Sequence, residues 1–585
     1  MKTIYNVRAL CVLAFLGSAA VTSAQEDVSK EKNLNREMTL EREYDPSVQD
    51  ASKVNTLPVV KEPEVRKIPI DYSSYTIAAD PSKEISLLPS GNIMTQMDYN
   101  KRRGYFNFGI GNYLNINGDL GYHILSTEKD KLNVWYSHRS TNGKVKYLES
   151  DEKIKAKLND NLGGVNYQHA FDKLLLNMGM KYGYSGFNYY GETITQPQSS
   201  ILPPNGDRET NQVNQTILAT VGVESKEGAS VGYLLDVEYI NFSHKYGLSP
   251  DIKGPTEHTI AARFDLNAGF GGNQRIGLGG AFEYFNYNLP STSLFFENHA
   301  EGTLSPYYKI EGENWNVKLG VNVMFATGEE SRFMASPNIS ADVEVADKTV
   351  LYAVATGKMA SNSMYETALV NRYINPAREL APSRNWLDAT IGLKSGVAPG
   401  FWFDVFGGYK ITKDEVFFTP AIMTSSKYFG NVSDGTQLDG DKLFVGANLK
   451  YSYQQLLDFS LKGVYNHWKV KYGEGLSGAG SSDGLKAWGK PKMEITAGIT
   501  AHPIKNLSVA LDYYLATGRY SKYMNYGTDM KMKNINELNL TGTYTFNDTF
   551  GAYVKLNNVL CQKYEILSGY ALQGFGAMVG VNINF

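Results

Sequence analysis

Residue types that carry catalysis or metal binding are present in this chain, but they are not spaced to do either. Its 8 histidines fall singly, and no His-Glu-x-x-His pair would turn two of them toward one zinc ion. The dipeptides Gly143-Lys144, Gly357-Lys358 and Gly489-Lys490 lack the following Ser or Thr that a phosphate-cradling loop needs for magnesium. "GLGGAF" at 277–282 and "GAMVGV" at 576–581 mimic a dinucleotide turn, yet both lie within strand patterns and open no helix. Small side chains for barrel packing explain them better. No G-x-S-x-G elbow leads from strand to helix, and a Ser-His-Asn set drawn from distant strands would leave no local trace. The chain is therefore expected not to be an enzyme, with no catalytic, cofactor-binding or metal residue assigned.

Two stretches come nearest to a ligand site. In "SDGTQLDGD" (433–441), Asp434, Asp439 and Asp441 offer hard oxygens of the kind Ca²⁺ takes, although a plain solvated loop is the favoured reading. The aromatic and amide groups of "SGFNYYGETITQPQSS" (185–200) have the chemistry to stack on and hydrogen-bond a sugar or peptide, with loop decoration again favoured. Of the 2 cysteines, Cys11 lies in an apolar leader and only Cys561 remains, so no internal disulfide is available. The net charge is -3, and removing a leader that carries Lys2 and Arg8 but no acid takes it to -5, since -3 minus 2 is -5. That balance gives nucleic-acid binding no support.

The elements that would position any site are strands. "KMEITAGITAHP" (492–503) puts Met493, Ile495, Ala497, Ile499 and Ala501 on one face and Lys492, Glu494, Thr496, Thr500 and His502 on the other. About 22 such segments run from Arg103 to Phe585, among them 399–413, 439–453, 490–503, 531–546 and 573–585. Their connections alternate in length. Tight turns at 171–173, 226–228, 271–273, 312–314, 397–399 and 547–548 follow even-numbered strands. Long links at 190–209, 247–254, 289–298, 360–381, 414–438, 471–489 and 560–572 follow odd-numbered ones. A soluble sandwich has no reason to segregate them, whereas an outer-membrane barrel has short periplasmic turns and long external loops. The 40 tyrosines suit a wall with two membrane interfaces. The fold class is therefore an all-β transmembrane antiparallel barrel of about 22 strands with a short N-terminal arm, apolar face to lipid. An even strand number leaves both termini on the periplasmic side.

The last stretch carries a family resemblance. An Asn-rich "NNVL" at Asn557–Leu560, the "KYE" triplet Lys563–Glu565, the loop pair Gly569-Tyr570 and the strand entry Gly574-Phe575 resemble the end of a TonB-dependent receptor barrel. The terminal Phe585 resembles the C-terminal assembly signal of outer-membrane barrels. The resemblance implies a wide transporter barrel whose lumen is normally plugged by a globular N-terminal domain. This chain departs from that pattern, because too little sequence precedes the barrel for a full plug. Residues 1–24 read as a signal peptide, with Lys2 and Arg8 before an apolar core at Ala9–Leu16 and a small-residue site at Thr22-Ser23-Ala24. Residues 25–66 read as a flexible periplasmic segment, 67–102 as a short arm or reduced plug, and 103–585 as the barrel. "TLPVV" at 56–60 is a candidate contact for a periplasmic partner, with a simple linker favoured.

The expected function is participation in solute uptake across the outer membrane of a Gram-negative bacterium. The alternative is a non-transporting structural or assembly partner in an outer-membrane complex, which the reduced plug favours. The expected partners are outer-membrane lipid and a periplasmic energy-coupling or envelope protein, with no cofactor.

Overall fold

A computed structural model describes residues 102–585, apart from 193–209, 227–229, 248–250, 291–295, 329–330, 397, 423–430, 474–483 and 524–528. The segments expected as signal peptide and flexible linker, and the arm except Arg102, lie outside the described residues. In chain order the strands are β1 (Gly104–Gly111), β2 (Ile116–Ser126), β3 (Asp130–Lys146), β4 (Lys153–Ala170), β5 (Leu174–Asn188), β6 (Asn211–Ser225), β7 (Val231–His244) and β8 (Thr256–Phe270). There follow β9 (Gln274–Asn288), β10 (His299–Glu311), β11 (Trp315–Ala326), β12 (Arg332–Ala346), β13 (Thr349–Ala360), β14 (Ser383–Ser395), β15 (Phe401–Ile422) and β16 (Asn431–Tyr453). The last are β17 (Leu457–Lys471), β18 (Met493–Ile504), β19 (Leu507–Thr517), β20 (Tyr520–Lys522), β21 (Asp529–Lys531), β22 (Ile535–Thr545), β23 (Phe550–Asn557) and β24 (Gly576–Asn584).

Each barrel strand pairs antiparallel with the next, β19 pairs with β22, and β24 pairs back onto β1, closing a 22-stranded sheet. Closure leaves no edge, so strand backbone groups are satisfied without water, which is what lets strands cross a membrane. Strands β20 and β21 form a separate hairpin in the link after β19. Among the described residues no helix is long and apolar enough to cross a membrane.

Side-chain facing follows the expected alternation. Along β22, Glu537, Asn539, Thr541 and Thr543 are buried toward the lumen, while Tyr544, and Phe546 just past the strand, are exposed outward. On β24, Val579 and Val581 are 57% and 44% exposed, as lipid-facing side chains of an isolated barrel must be. The two glycine runs are strand segments, in β9 and β24. At Gly277 an added Cβ would lie 2.2 Å from the Tyr307 ring, and at Gly580 2.2 Å from the Tyr553 ring. These glycines are the gaps into which inward rings fold.

Three boundaries differ from the sequence expectation. The stretch 414–438, expected as a long link, is mostly strand, because β15 runs to Ile422 and β16 starts at Asn431. A register shift between Thr412 and Glu415, with Asp414 at φ 58°, resets the alternation. The period read across that point is broken while the strand continues. Strand 531–546 begins only at Ile535, and the 360–381 link contains a helix, α1 (Met364–Val370), that no periodicity announced.

Candidate functional site

The links at one end of the barrel fold inward, and the principal one is 361–382, between β13 and β14. Its two ends are tied together at the rim, since Nδ2 of Asn362 donates to Ala381 O and to Ser383 Oγ, both at 2.8 Å. Register shifts at Thr356/Lys358 on β13 and Asn385/Leu387 on β14 lie at that rim, where bulges re-aim a chain. Ser363 caps α1, its Oγ accepting from the Glu366 N–H at 3.3 Å. Met364 and Ala368 on the helix pack against Phe242 of β7 and Phe296. Buried Glu257 of β8 accepts the Tyr365 N–H at 3.2 Å.

Beyond the helix this strap reaches the opposite side of the ring. Nη1 of Arg372 donates to both carboxylate oxygens of Asp160 on β4, at 3.0 and 2.9 Å, and to Ser185 Oγ on β5 at 3.3 Å. The next residue, Tyr373, stacks on Tyr570 at 4.0 Å between centroids and meets Phe187 and Tyr190 edge-on. Ile374 then forms a parallel bridge to Ser433 on β16. The strap therefore crosses the mouth of the barrel, anchored on β4, β5, β7, β8 and β16.

Tyr570 belongs to a second inward-folded link, 558–575. Burial holds the phenols of Tyr190 and Tyr570 well above their ordinary range, so both rings are neutral packing groups. In the same link Glu565 accepts the Gly569 N–H at 3.1 Å, and burial pushes its carboxyl up to about 7 against that bond. Fully buried Arg519 donates to the carbonyls of Glu565 at 2.7 Å, Ile566 and Lys533. Burial brings its guanidinium down to about 10, still charged at neutral pH. Glu192 donates its N–H to Gly569 O at 2.8 Å, fastening this link to the one after β5.

The residues singled out from sequence do not meet at this mouth as a site. Asp434, expected in the link, lies on β16 together with Asp439 and Asp441, which were expected at the start of a strand; Asp434 faces Arg378 at 3.2 Å and Asp439 faces Lys413 at 2.5 Å. Among the described residues no group of three such ligands is arranged to hold a metal ion. From 185–200, Tyr189 and Tyr190 are buried in the aromatic clusters instead of displayed, and 193–200 lie outside the described residues. Glu494 faces the lumen and accepts from Tyr514 OH at 2.8 Å. Lys492, expected beside it, precedes β18, and its ammonium rests over the ring of the exposed Tyr465. Sequence reading missed Arg372 and Tyr373, whose only local signal is a charged and aromatic pair in a long link, and Asp160, one polar residue among others on β4. Near the other end, a recess of about 340 Å³ is lined by Lys131, Asn133, Asn166, Gln168, Asn177 and Asp236.

No protein-family model matches the chain, and no curated protein matches it. Solved structures do. A variant of the ferric enterobactin receptor PfeA from Pseudomonas aeruginosa is similar at TM-score 0.59 and 10% identity, over 83% of this chain and 80% of that one. The copper transporter OprC gives TM-score 0.60 and 11% identity, over 83% and 82%. The siderophore receptor PirA from Acinetobacter baumannii gives TM-score 0.60 and 11% identity, over 83% and 81%. The chain has the fold of the outer-membrane receptor barrels. At this level of identity the likeness is one of architecture.

Proposed function

We propose that the chain is a solute-uptake barrel of the Gram-negative outer membrane, with both termini in the periplasm and the long-link end outside the cell. The observation that carries this reading is the strap, which crosses a mouth whose inner wall is polar and whose outer wall is apolar. A closed ring with that polarity lies in lipid, and a segment laid across its opening meets whatever enters. The copper and siderophore receptors of similar fold support an uptake role.

In this reading residues 67–102 stand in for a full plug. Residues 25–66 are then the segment offered to a periplasmic energy-coupling or envelope protein. Selectivity resides in the strap and the links it touches, and no residue is given a catalytic role.

Planar-bilayer conductance tests the proposal. Deleting 67–102 is expected to raise conductance and to sensitise cells to large antibiotics, whereas deleting 25–60 leaves both unchanged. A barrel that stays closed under both deletions would favour a structural or assembly partner instead.

A further inference from the structure

The β3–β4 hairpin sets like charges against each other at its long-link end. Lys144 pairs in register with Lys155 and Lys146 with Lys153, and Lys157 stands in the preceding row opposite Asn142. Register partners share a face, and the inward face here is fixed by Val145 and Ala156, buried against Tyr190 and Tyr570. The lysines therefore point out of the ring, and Lys144, Lys153, Lys155 and Lys157 are exposed. Lysine pairs elsewhere in the wall have a carboxylate on one member: Glu311 reaches Lys309 of Lys309↔Lys318 at 2.5 Å, and Glu415 reaches Lys410 of Lys410↔Lys442 at 3.5 Å. Lys146 likewise has Asp151, at 2.9 Å, in the turn beyond the last pair, where Glu149 and Glu152 also lie. Lys144 and Lys155 have no such partner among the described residues, and Lys157 reaches only the amide of Asn211, at 3.3 Å.

Followed toward the tight-turn end, the same outward face changes polarity in order. Next to the Asn142–Lys157 row come Ser140 with Asn159 and then His138 with Asn161. The His138 ring meets Asn161 Oδ1 at 2.8 Å and Ser140 Oγ at 3.0 Å, and Asn161 Nδ2 donates to Asn159 Oδ1 at 2.9 Å. Tyr136 and Tyr182 follow, flanking Gly163 in one row, with Val165 and Met180 in the row after them, and all four of these side chains are exposed. Apolar, aromatic, amide and hydroxyl, cationic: these are the surroundings that lipid chains, the interface, a sugar headgroup and its anionic groups would each meet in turn. Like charges directly opposite one another weaken a ladder, and an anion between them reverses that effect. Lysine serves phosphate as a point charge, and long stems let several ammonium groups converge on one such group.

We propose that this outward face docks a phosphate-bearing glycolipid of the outer leaflet. Its phosphates lie among Lys144, Lys155 and Lys157, its sugar hydroxyls on the Asn159, Asn161 and His138 rows, and its acyl chains along Tyr136, Val165 and Met180. This goes beyond uptake by giving the wall a lipid partner, and it rests on that reading only for which end is outside the cell.

The test is titration of the full chain in detergent, followed by thermophoresis, with diphosphoryl lipid A, its monophosphoryl form and inorganic phosphate. Saturable binding of the diphosphoryl lipid is expected, several-fold weaker for the monophosphoryl lipid, weaker again as salt is raised, and absent for inorganic phosphate at the same concentrations. The triple variant Lys144→Gln, Lys155→Gln, Lys157→Gln should bind about a hundredfold more weakly, near fivefold per charge removed, while the corresponding triple Arg variant retains binding. Heat-modifiable gel mobility checks folding, and if the triple Gln variant is not a folded barrel, Lys155→Gln alone decides, with about fivefold expected. No saturable binding, equal binding of the two lipids, equal binding of inorganic phosphate, or unchanged affinity in the folded Gln variant would overturn the docking face. Orientation is read separately, by antibody access on intact cells to a tag inserted in the 193–209 link. A tag reached without lipid binding removes the docking face and keeps the orientation, and lipid binding with a tag reached only after lysis keeps the phosphate contacts and removes the external orientation of the uptake reading.

Discussion

The wall and the mouth of this barrel are held together in different ways. In the wall each strand is bound to its neighbours by a continuous backbone ladder, as in the unbroken register of β5 with β6 from Leu174↔Ser225 to Asn188↔Asn211. At the mouth the strap has only a short backbone bridge to Ser433 and is otherwise held by side chains that reach across the opening, with Arg372 on Asp160 and Tyr373 on Tyr570 the principal ones. A ladder closed into a ring opens only as a whole, whereas a segment held by a few side chains opens locally at smaller cost. The mouth is therefore expected to open at smaller cost than the wall.

The wall is the place for the largest effects. Val581→Arg puts a charge on the lipid face of β24 and is expected to cost about 2–4 kcal/mol near the midplane, read as urea stability of barrels refolded in vesicles. Thr496→Arg, on the lumen side of β18, is expected to cost less than about 1 kcal/mol. Equal losses would refute the assigned facing and with it the division between wall and lumen.

At the mouth a pH dependence is expected from the 558–575 link. In the folded chain the Glu565 carboxyl is raised from 4.5 to about 7, so the fold binds a proton that the opened link releases. The stability this supplies is fully present below pH 4.5 and is lost as pH rises through about 7. The loss amounts to roughly 3 kcal/mol across that window. Hydrogen exchange of 558–575 should therefore quicken between pH 5 and 8 while exchange in β5 and β6 does not follow it. Glu565→Gln should flatten the dependence; a dependence that survives the substitution would move its source elsewhere.

The smallest effect is expected at the strap itself. Arg372→Ala removes a partly exposed pair, worth about 1 kcal/mol, so the barrel's overall stability should barely change. Limited proteolysis within 361–382 should nonetheless accelerate several-fold. Loss of the whole barrel on that substitution would show that mouth and wall are one cooperative unit.

This contrast also explains what was legible in the sequence. A strand such as 493–504 declares itself and its facing within a dozen residues, because alternation is local. Turn lengths declared the up-and-down order in the same way. The strap did not declare itself, since Arg372 and Asp160 lie 212 residues apart and Tyr190 and Ala571 lie 381 apart. Only closure of the ring brings them together. The bulge at Thr412/Glu415 hid the outer half of β15 by resetting its phase, and residues 433–438, read as part of a link, belong to the strand facing it.

In the uptake reading proposed above, a solute crossing this barrel must pass the strap. Single-channel conductance tests it most directly, in chains lacking 67–102, with 364–381 either intact or replaced by a short Gly-Ser linker. The expected result is a distinctly larger unitary conductance once the strap is replaced, with Val581→Arg-type stability controls unchanged. The same conductance with and without the strap, in barrels shown to be folded, would contradict passage past the strap.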